Sequence, residues 1–240
     1  MLMRYLITET LKLRRSLALL LALAAPLFVV VMCVLIGLRS PSAAMPVKNY
    51  GMTGAAFWAF AMLPLSVTAL SVLMSQMEHG ARSWDHILTL PGARPRIFLA
   101  KALILFGVVA LMSLWLWLLL RGGAWLVEMA KPVDGPFESR KIAETLTTMF
   151  AASGLMIVLQ IWMALRSRSF VPPLVLGIVG TFTSVAAASA KEGAYFPWLM
   201  PLHVLSTDPV LAHRALLIGS IGGVIALIAM MIDLSHRELA

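Results

Sequence analysis

Residues 78–101 read EHGARSWDHILTLPGARPRIFLAK, the longest densely charged stretch lying between two strongly apolar ones. On a helix, Met77, Ala81, Trp84 and Leu88 fall at i, i+4, i+7 and i+11 and share one face. His79, Arg82, Ser83 and His86 fall on the other. Glu78 precedes Arg82 by four residues, the favourable order for a helical ion pair. Pro91-Gly92 then breaks the pattern, and Pro95 suits the first turn of the helix that starts next. The stretch reads as a short amphipathic helix, a turn and the head of a membrane span. An apolar ridge with a polar rim is what a docking helix needs. Trp84, flanked by Ala81 and Leu88 and rimmed by Arg82, Asp85 and His86, is the kind of side chain that anchors an interface. The competing reading leaves Trp84 among lipid headgroups, with the helix resting on the membrane.

The surroundings of this stretch set the class. Of 240 residues, 60% are hydrophobic and 12% charged, where a soluble domain carries about 25% charged residues. So many apolar side chains have no water-soluble home, and the chain reads as an all-α integral membrane protein. The net charge of +8 does not point to nucleic acid, because the basic residues sit between apolar runs, as loop anchors do. The single cysteine, Cys33, excludes an intrachain disulfide and a cysteine metal cage.

Six uncharged runs predict six spans, at about 16–38, 55–77, 102–120, 145–165, 169–190 and 215–232, since crossing a bilayer takes about 20 helical residues. Pro26 and Pro64 lie inside the first two, where a proline is tolerated when neighbours satisfy the freed carbonyl. Ahead of them, MLMRYLITETLKLRR places Arg4, Thr8, Lys12 and Arg15 along one helical face. The apolar run that follows has 23 residues, longer than a signal-peptide core of about 7–15. An uncleaved interfacial helix therefore fits, with Arg4, Lys12, Arg14, Arg15 and, later, Lys101 as membrane-interface anchors. Six spans put both termini on one side. With the N-terminus inside, 11 Lys and Arg fall inside and 8 outside, which favours cytoplasmic termini.

The predicted outer loops differ in kind. Residues 121–144 carry Glu128, Lys131, Asp134, Glu138, Arg140, Lys141 and Glu144 and read as a solvated connection with some helix. Residues 191–214 are too apolar for a free loop and too broken by Pro197, Pro201 and Pro209 for a span, so a re-entrant or interfacial pair of short helices is expected. In the last span, Gly219 and Gly223 have the small-xxx-small spacing that lets helices approach closely, either within one subunit or between two.

Several chemistries are absent from the sequence. No G-x-x-x-x-G-K-[ST] loop, H-E-x-x-H helix or G-x-S-x-G elbow occurs, so no catalytic or metal residue is assigned. His79 and His86, seven apart, read as polar residues on a solvated face. The six predicted spans hold no charged residue of the kind a proton-coupled carrier uses. Gln160, mid-span, reads as a helix–helix hydrogen-bonding residue. What remains is a membrane subunit powered or regulated by another chain: a transport subunit, or a scaffold or sensor with no transport path.

The motif Glu9-x-x-Lys12-x-Arg14-Arg15, the six runs, and the loop Glu78-His-Gly-Ala-Arg-Ser-Trp84 with Leu88-x-Leu90-Pro91-x-x-Arg94 and Leu99-Ala100-Lys101 resemble the permease subunits of ABC-2 type transporters. Within these, the chain is most similar to lantibiotic self-protection and bacitracin-resistance permeases. The resemblance implies a half-transporter of the bacterial inner membrane. Two permease subunits, identical or sister chains, would join two ATP-binding cassette ATPases that hold the ATP and Mg. Glu78, His79, Ala81, Arg82, Trp84, Asp85 and Leu88 would form the cytoplasmic coupling helix between spans two and three. An amphiphilic substrate, such as a peptide antibiotic or a lipid-like compound, would be exported. The resemblance extends to 191–214, which matches the re-entrant pair between the last two spans of that class.

Overall fold

The computed structural model describes residues 2–14, 16–39, 45–79 and 94–236. The chain folds into helices α1 (Leu2–Arg14), α2 (Leu17–Arg39), α3 (Val47–Phe57), α4 (Leu63–His79), α5 (Arg94–Ala130), α6 (Ser139–Ala152), α7 (Gly154–Arg166), α8 (Val171–Ala187), α9 (Met200–His203) and α10 (Pro209–His236). Two-residue strands β1 (Met45–Pro46) and β2 (Val133–Asp134) pair in parallel and tie the segment after α2 to the segment after α5.

Helices α3 and α4 form one continuous element through a π-helical turn, Trp58–Met62. Pro64 explains that turn, because it has no N–H for the carbonyl four residues back. The Leu63 N–H reaches the Trp58 carbonyl instead. This element is the centre of the bundle. In its most apolar window, 56% of residues are buried, against 28–33% in the other long apolar helices. Leu63, Val67, Leu70 and Met74 are wholly buried, and α4 packs between α7 and α8. Helix α2 runs along α5, and α10 runs along α7. The outward faces of α2 and α10, with Leu20, Leu27 and Ile36 on one and Ile221, Ile225 and Ile232 on the other, remain exposed and apolar. Such faces are stable only against lipid or another protein.

Four helical elements among the described residues are long and apolar enough to cross a membrane: α2, Asn49–Met77, α5 and α10. The expected span 145–165 is broken. Helices α6 and α7 meet at Ser153 with a bend of 45° and would make a fifth crossing if taken as one. A Ser-Gly pair is a common site for such a kink, and the Ser153 hydroxyl donates to the Phe150 carbonyl at 2.7 Å. The expected span 169–190 becomes α8, with 17 residues, about 26 Å long at 1.5 Å per residue.

Two boundaries also move. The solvated connection expected from residue 121 is helical to Ala130. Of the glycine pair that should weaken it, Gly123 is packed, since a side chain there would collide with Tyr50 and Val30, while Gly122 faces open space. Residues 49–54, which precede the expected second span at about 55–77, lie in α3. Gly51 and Gly54 there let Ile142, Phe137 and Leu120 approach the backbone closely. Within 191–214 the structure has a 3₁₀ turn, Lys191–Tyr195, then α9, while residues from Pro209 onward already belong to α10. His203 Nε2 lies 3.1 Å from the Gly193 carbonyl and joins the two short pieces. Arg214 sits over the Tyr195 ring at 5.5 Å.

Candidate functional site

The amphipathic stretch chosen from the sequence begins where α4 ends. Glu78 and His79 are the last two residues of that helix. Ala81, Arg82, Trp84, Asp85 and Leu88 lie outside the described residues, as does His86. What the structure does describe is how the two helices flanking the stretch are held.

On the far side, α5 starts at Arg94, with Pro95 in its first turn and Phe98 wholly buried. About two turns in, Lys101 is 0% exposed. Its Nζ donates to Glu9 Oε2 at 2.9 Å, and Glu9 Oε1 accepts from Lys12 Nζ at 3.0 Å. Glu9 itself is 7% exposed. Two ions buried in apolar surroundings hold only while each keeps its partner. The pair therefore fastens α1 across the head of α5. Lys101, expected among the interfacial anchors, is an interior residue. Of the other expected anchors, Lys12 supports Glu9 and stays part-exposed, Arg4 and Arg14 lie in α1, and Arg15 lies outside the described residues.

Helix α1 presents Met3, Ile7 and Leu11 outward, each more than half exposed, at i, i+4 and i+8 along one side. The turn into α2 is built by Ser16. Its hydroxyl accepts from the Ala18 N–H at 3.2 Å and donates to the Leu13 carbonyl at 3.0 Å. This satisfies orphan groups at both helix ends.

On the near side, about one turn before α4 ends, the buried Ser75 hydroxyl donates to the Ala164 carbonyl of α7 at 2.6 Å. Helix α7 is latched in turn to α10. Trp162 Nε1 donates to Asp233 Oδ2 at 2.8 Å, and Arg166 Nη1 lies 3.7 Å from the same oxygen. Gln160 reaches across to α8, donating to the Pro173 carbonyl at 2.6 Å.

Gly219 and Gly223 face the kink between α6 and α7. A Cβ at Gly219 would collide with the Ala152 backbone, and one at Gly223 with the backbone of Gly154 and Leu155. The two glycines thus serve close packing inside this chain. Among the described residues, no group of three or more His, Cys, Asp or Glu is placed to hold a metal.

The sequence reading missed the Glu9–Lys101 pair. A signal was present: Glu9 is the one carboxylate in an otherwise basic first helix, and Lys101 stands directly against an apolar run.

A bundle of long apolar helices with lipid-compatible faces defines an integral membrane protein. The chain belongs to the ABC-2 transporter family: the model for "ABC-2 family transporter protein" matches residues 5–184. It is accordingly a membrane transport component, of a family whose membrane proteins work with ATP-binding cassette ATPases. The matched region includes Glu9, Ser75 and Lys101. Neither a curated protein nor a solved structure matches the chain.

Proposed function

We propose that this chain is the permease subunit of an ATP-driven exporter of the bacterial inner membrane, moving an amphiphilic substrate with energy from separate ATPase subunits. The observation that carries the reading is the pair of clamps around residues 80–93. Glu9–Lys101 ties the helix after the segment to α1, and Ser75–Ala164 ties the helix before it to α7. A force on the segment would then reach α4 and α5 together, and through them α1, α7 and α10. A docking helix formed by Glu78, His79, Ala81, Arg82, Trp84, Asp85 and Leu88 is the part on which a partner ATPase would press.

The same reading takes α2, α3–α4, α5, α6–α7, α8 and α10 as six crossings with both termini cytoplasmic, supported by the 11-to-8 division of basic residues. A second permease subunit, identical or a sister chain, completes the transporter. The likeness to lantibiotic self-protection and bacitracin-resistance permeases favours a peptide antibiotic or lipid-like substrate.

The test is co-reconstitution with its partner ATPase. Trp84→Ala and Arg82→Glu should leave a folded protein that no longer stimulates ATP hydrolysis in response to substrate. Transport unchanged in both variants would refute the coupling assignment. ATP hydrolysis indifferent to every amphiphile in the unsubstituted complex would favour a scaffold or sensor subunit instead.

A further inference from the structure

Three helices meet where α4 packs between α7 and α8, and short contacts fix their register. The Ser75 hydroxyl of α4 donates to the Ala164 carbonyl of α7. Thr68, about two turns earlier on α4, lies against Gly177 of α8, where a Cβ would collide with the Thr68 side chain. Gln160 Nε2 of α7 donates to the Pro173 carbonyl of α8. Residues 167–170 alone join α7 to α8, so those two helices run antiparallel. Along α8, Pro173 and Gly177 are about one turn apart, as Gln160 and Ala164 are along α7. Helix α4 therefore passes the Gly177 level at Thr68 and the Ala164 level at Ser75. Ser71, between them, falls at the level of Gln160.

Two polar atoms end unpaired at this level. Ser71 and Gln160 are both 0% exposed. Ser71 Oγ and Gln160 Oε1 have no hydrogen-bond partner among the described residues, so they do not reach each other either. The orientation of the carboxamide is set, because the Pro173 carbonyl only accepts and must face the NH2 edge. Oε1 is then a pure acceptor shut away from solvent, where an unpaired polar group is expensive. Thr68, Ser71 and Ser75 lie within an arc of about 60° on α4. Ser71 thus faces the seam between α7 and α8, which the Gln160 side chain crosses.

We propose that this three-helix seam binds one internal water molecule, which donates to Gln160 Oε1 and is hydrogen-bonded to Ser71 Oγ. Water is the smallest group with the donor that Oε1 needs, and it suits either role of the hydroxyl. Internal waters settle at buried polar groups of this kind. A metal cation fits poorly. Ser71 and Gln160 are neutral, and among the described residues no group of three or more His, Cys, Asp or Glu is placed to hold one. Together with the Ser75–Ala164 bond, the water makes a polar seam over two turns of the helix that leads into residues 80–93. The site follows from packing inside the chain and holds whether or not α4 couples to an ATPase.

Proton-detected solid-state NMR of the full-length protein in vesicles of deuterated lipid reads magnetisation transfer from water to single N–H groups. The Gln160 carboxamide should receive it, while the backbone amide of Leu105, wholly buried on α5, should not. Ser71→Val fills the space beside the carboxamide and should abolish the transfer. A double-mutant cycle on Ser71→Ala and Gln160→Met gives a second readout, which decides the matter should Ser71→Val not fold. The two side chains do not bond each other, so without a shared partner their losses add. With the water, the unfolding constant of the double variant should fall short of the product of the single effects by about threefold, the scale of one interhelical hydrogen bond. Strict additivity would overturn the proposal. So would a Gln160 carboxamide as dry as Leu105 in the unsubstituted protein, or transfer that persists in Ser71→Val.

Discussion

Lys101 and Glu9, 92 positions apart in sequence, meet at 2.9 Å in a part of the bundle that is almost closed to solvent. The contact joins the first helix to the third long one, at the point where the chain returns from the 80–93 segment. Removing Glu9 takes the paired carboxylate from a buried cation, at a cost of about 3–5 kcal/mol, whereas removing Lys101 leaves Glu9 its contact with Lys12. Glu9→Gln should lower unfolding stability in detergent by that order, and Lys101→Met by less. The double variant Glu9→Gln/Lys101→Met should lose clearly less than the sum. Strict additivity in this double-mutant cycle would show that the two groups do not act as a pair.

The glycines of the bundle divide by what surrounds them. Gly219→Ala drives a methyl into the Ala152 backbone and should cost about 1–3 kcal/mol through overpacking. Gly122→Ala, on α5, meets nothing within 4 Å and should instead stabilise by roughly 0.5–1 kcal/mol, the usual helix-interior difference. Thermal unfolding of the two variants side by side would show shifts of opposite sign.

Ser75→Ala removes the hydrogen bond from α4 to the Ala164 carbonyl but keeps the volume nearly the same. Stability should fall by only about 0.6 kcal/mol, typical of interhelical hydrogen bonds in membranes. If the clamp transmits force, substrate-stimulated ATP hydrolysis in the assembled transporter should fall much further than stability does. Equal small losses in both measurements would make Ser75 a packing residue only.

Asp233 accepts from Trp162 and also faces Arg166. The arginine is 45% exposed and 3.7 Å away, so the ion pair should be worth about 0–1 kcal/mol. Asp233→Asn keeps an acceptor for the indole and should be nearly neutral. Asp233→Leu leaves the part-buried Trp162 N–H without one and should cost about 1–3 kcal/mol. Denaturant titration of the two variants separates charge from hydrogen bonding at this latch.

Much of the bundle could be read from apolar runs, because lipid imposes one requirement on every residue of a span. Leu17–Arg39 and Pro209–His236 emerge close to the expected first and last spans for that reason. The kink at Ser153 was only half legible in the run 145–165: the Ser-Gly pair is local, but the close approach of Gly219 from a distant helix to the Ala152 backbone is not. The early start of α3 at Val47 was hidden in the same way, since Gly51 reads as a loop residue until Ile142 is placed against it. The interior place of Lys101 could not be found by counting charges, because a lysine beside an apolar run looks the same whether it snorkels to the interface or meets a carboxylate.

The amino-acid sequence alone determined that this protein lives in a membrane, that its first helix is basic and amphipathic, and that its one long charged stretch falls between apolar runs. Those properties follow from composition and helical period, which are local. Only the tertiary structure decided that Glu9 neutralises Lys101, that Ser75 holds α4 to α7, and that Gly219 and Gly223 bring α10 against a broken helix within the same chain. Each of these contacts joins positions far apart in sequence, and its free energy depends on burial that no single segment possesses by itself.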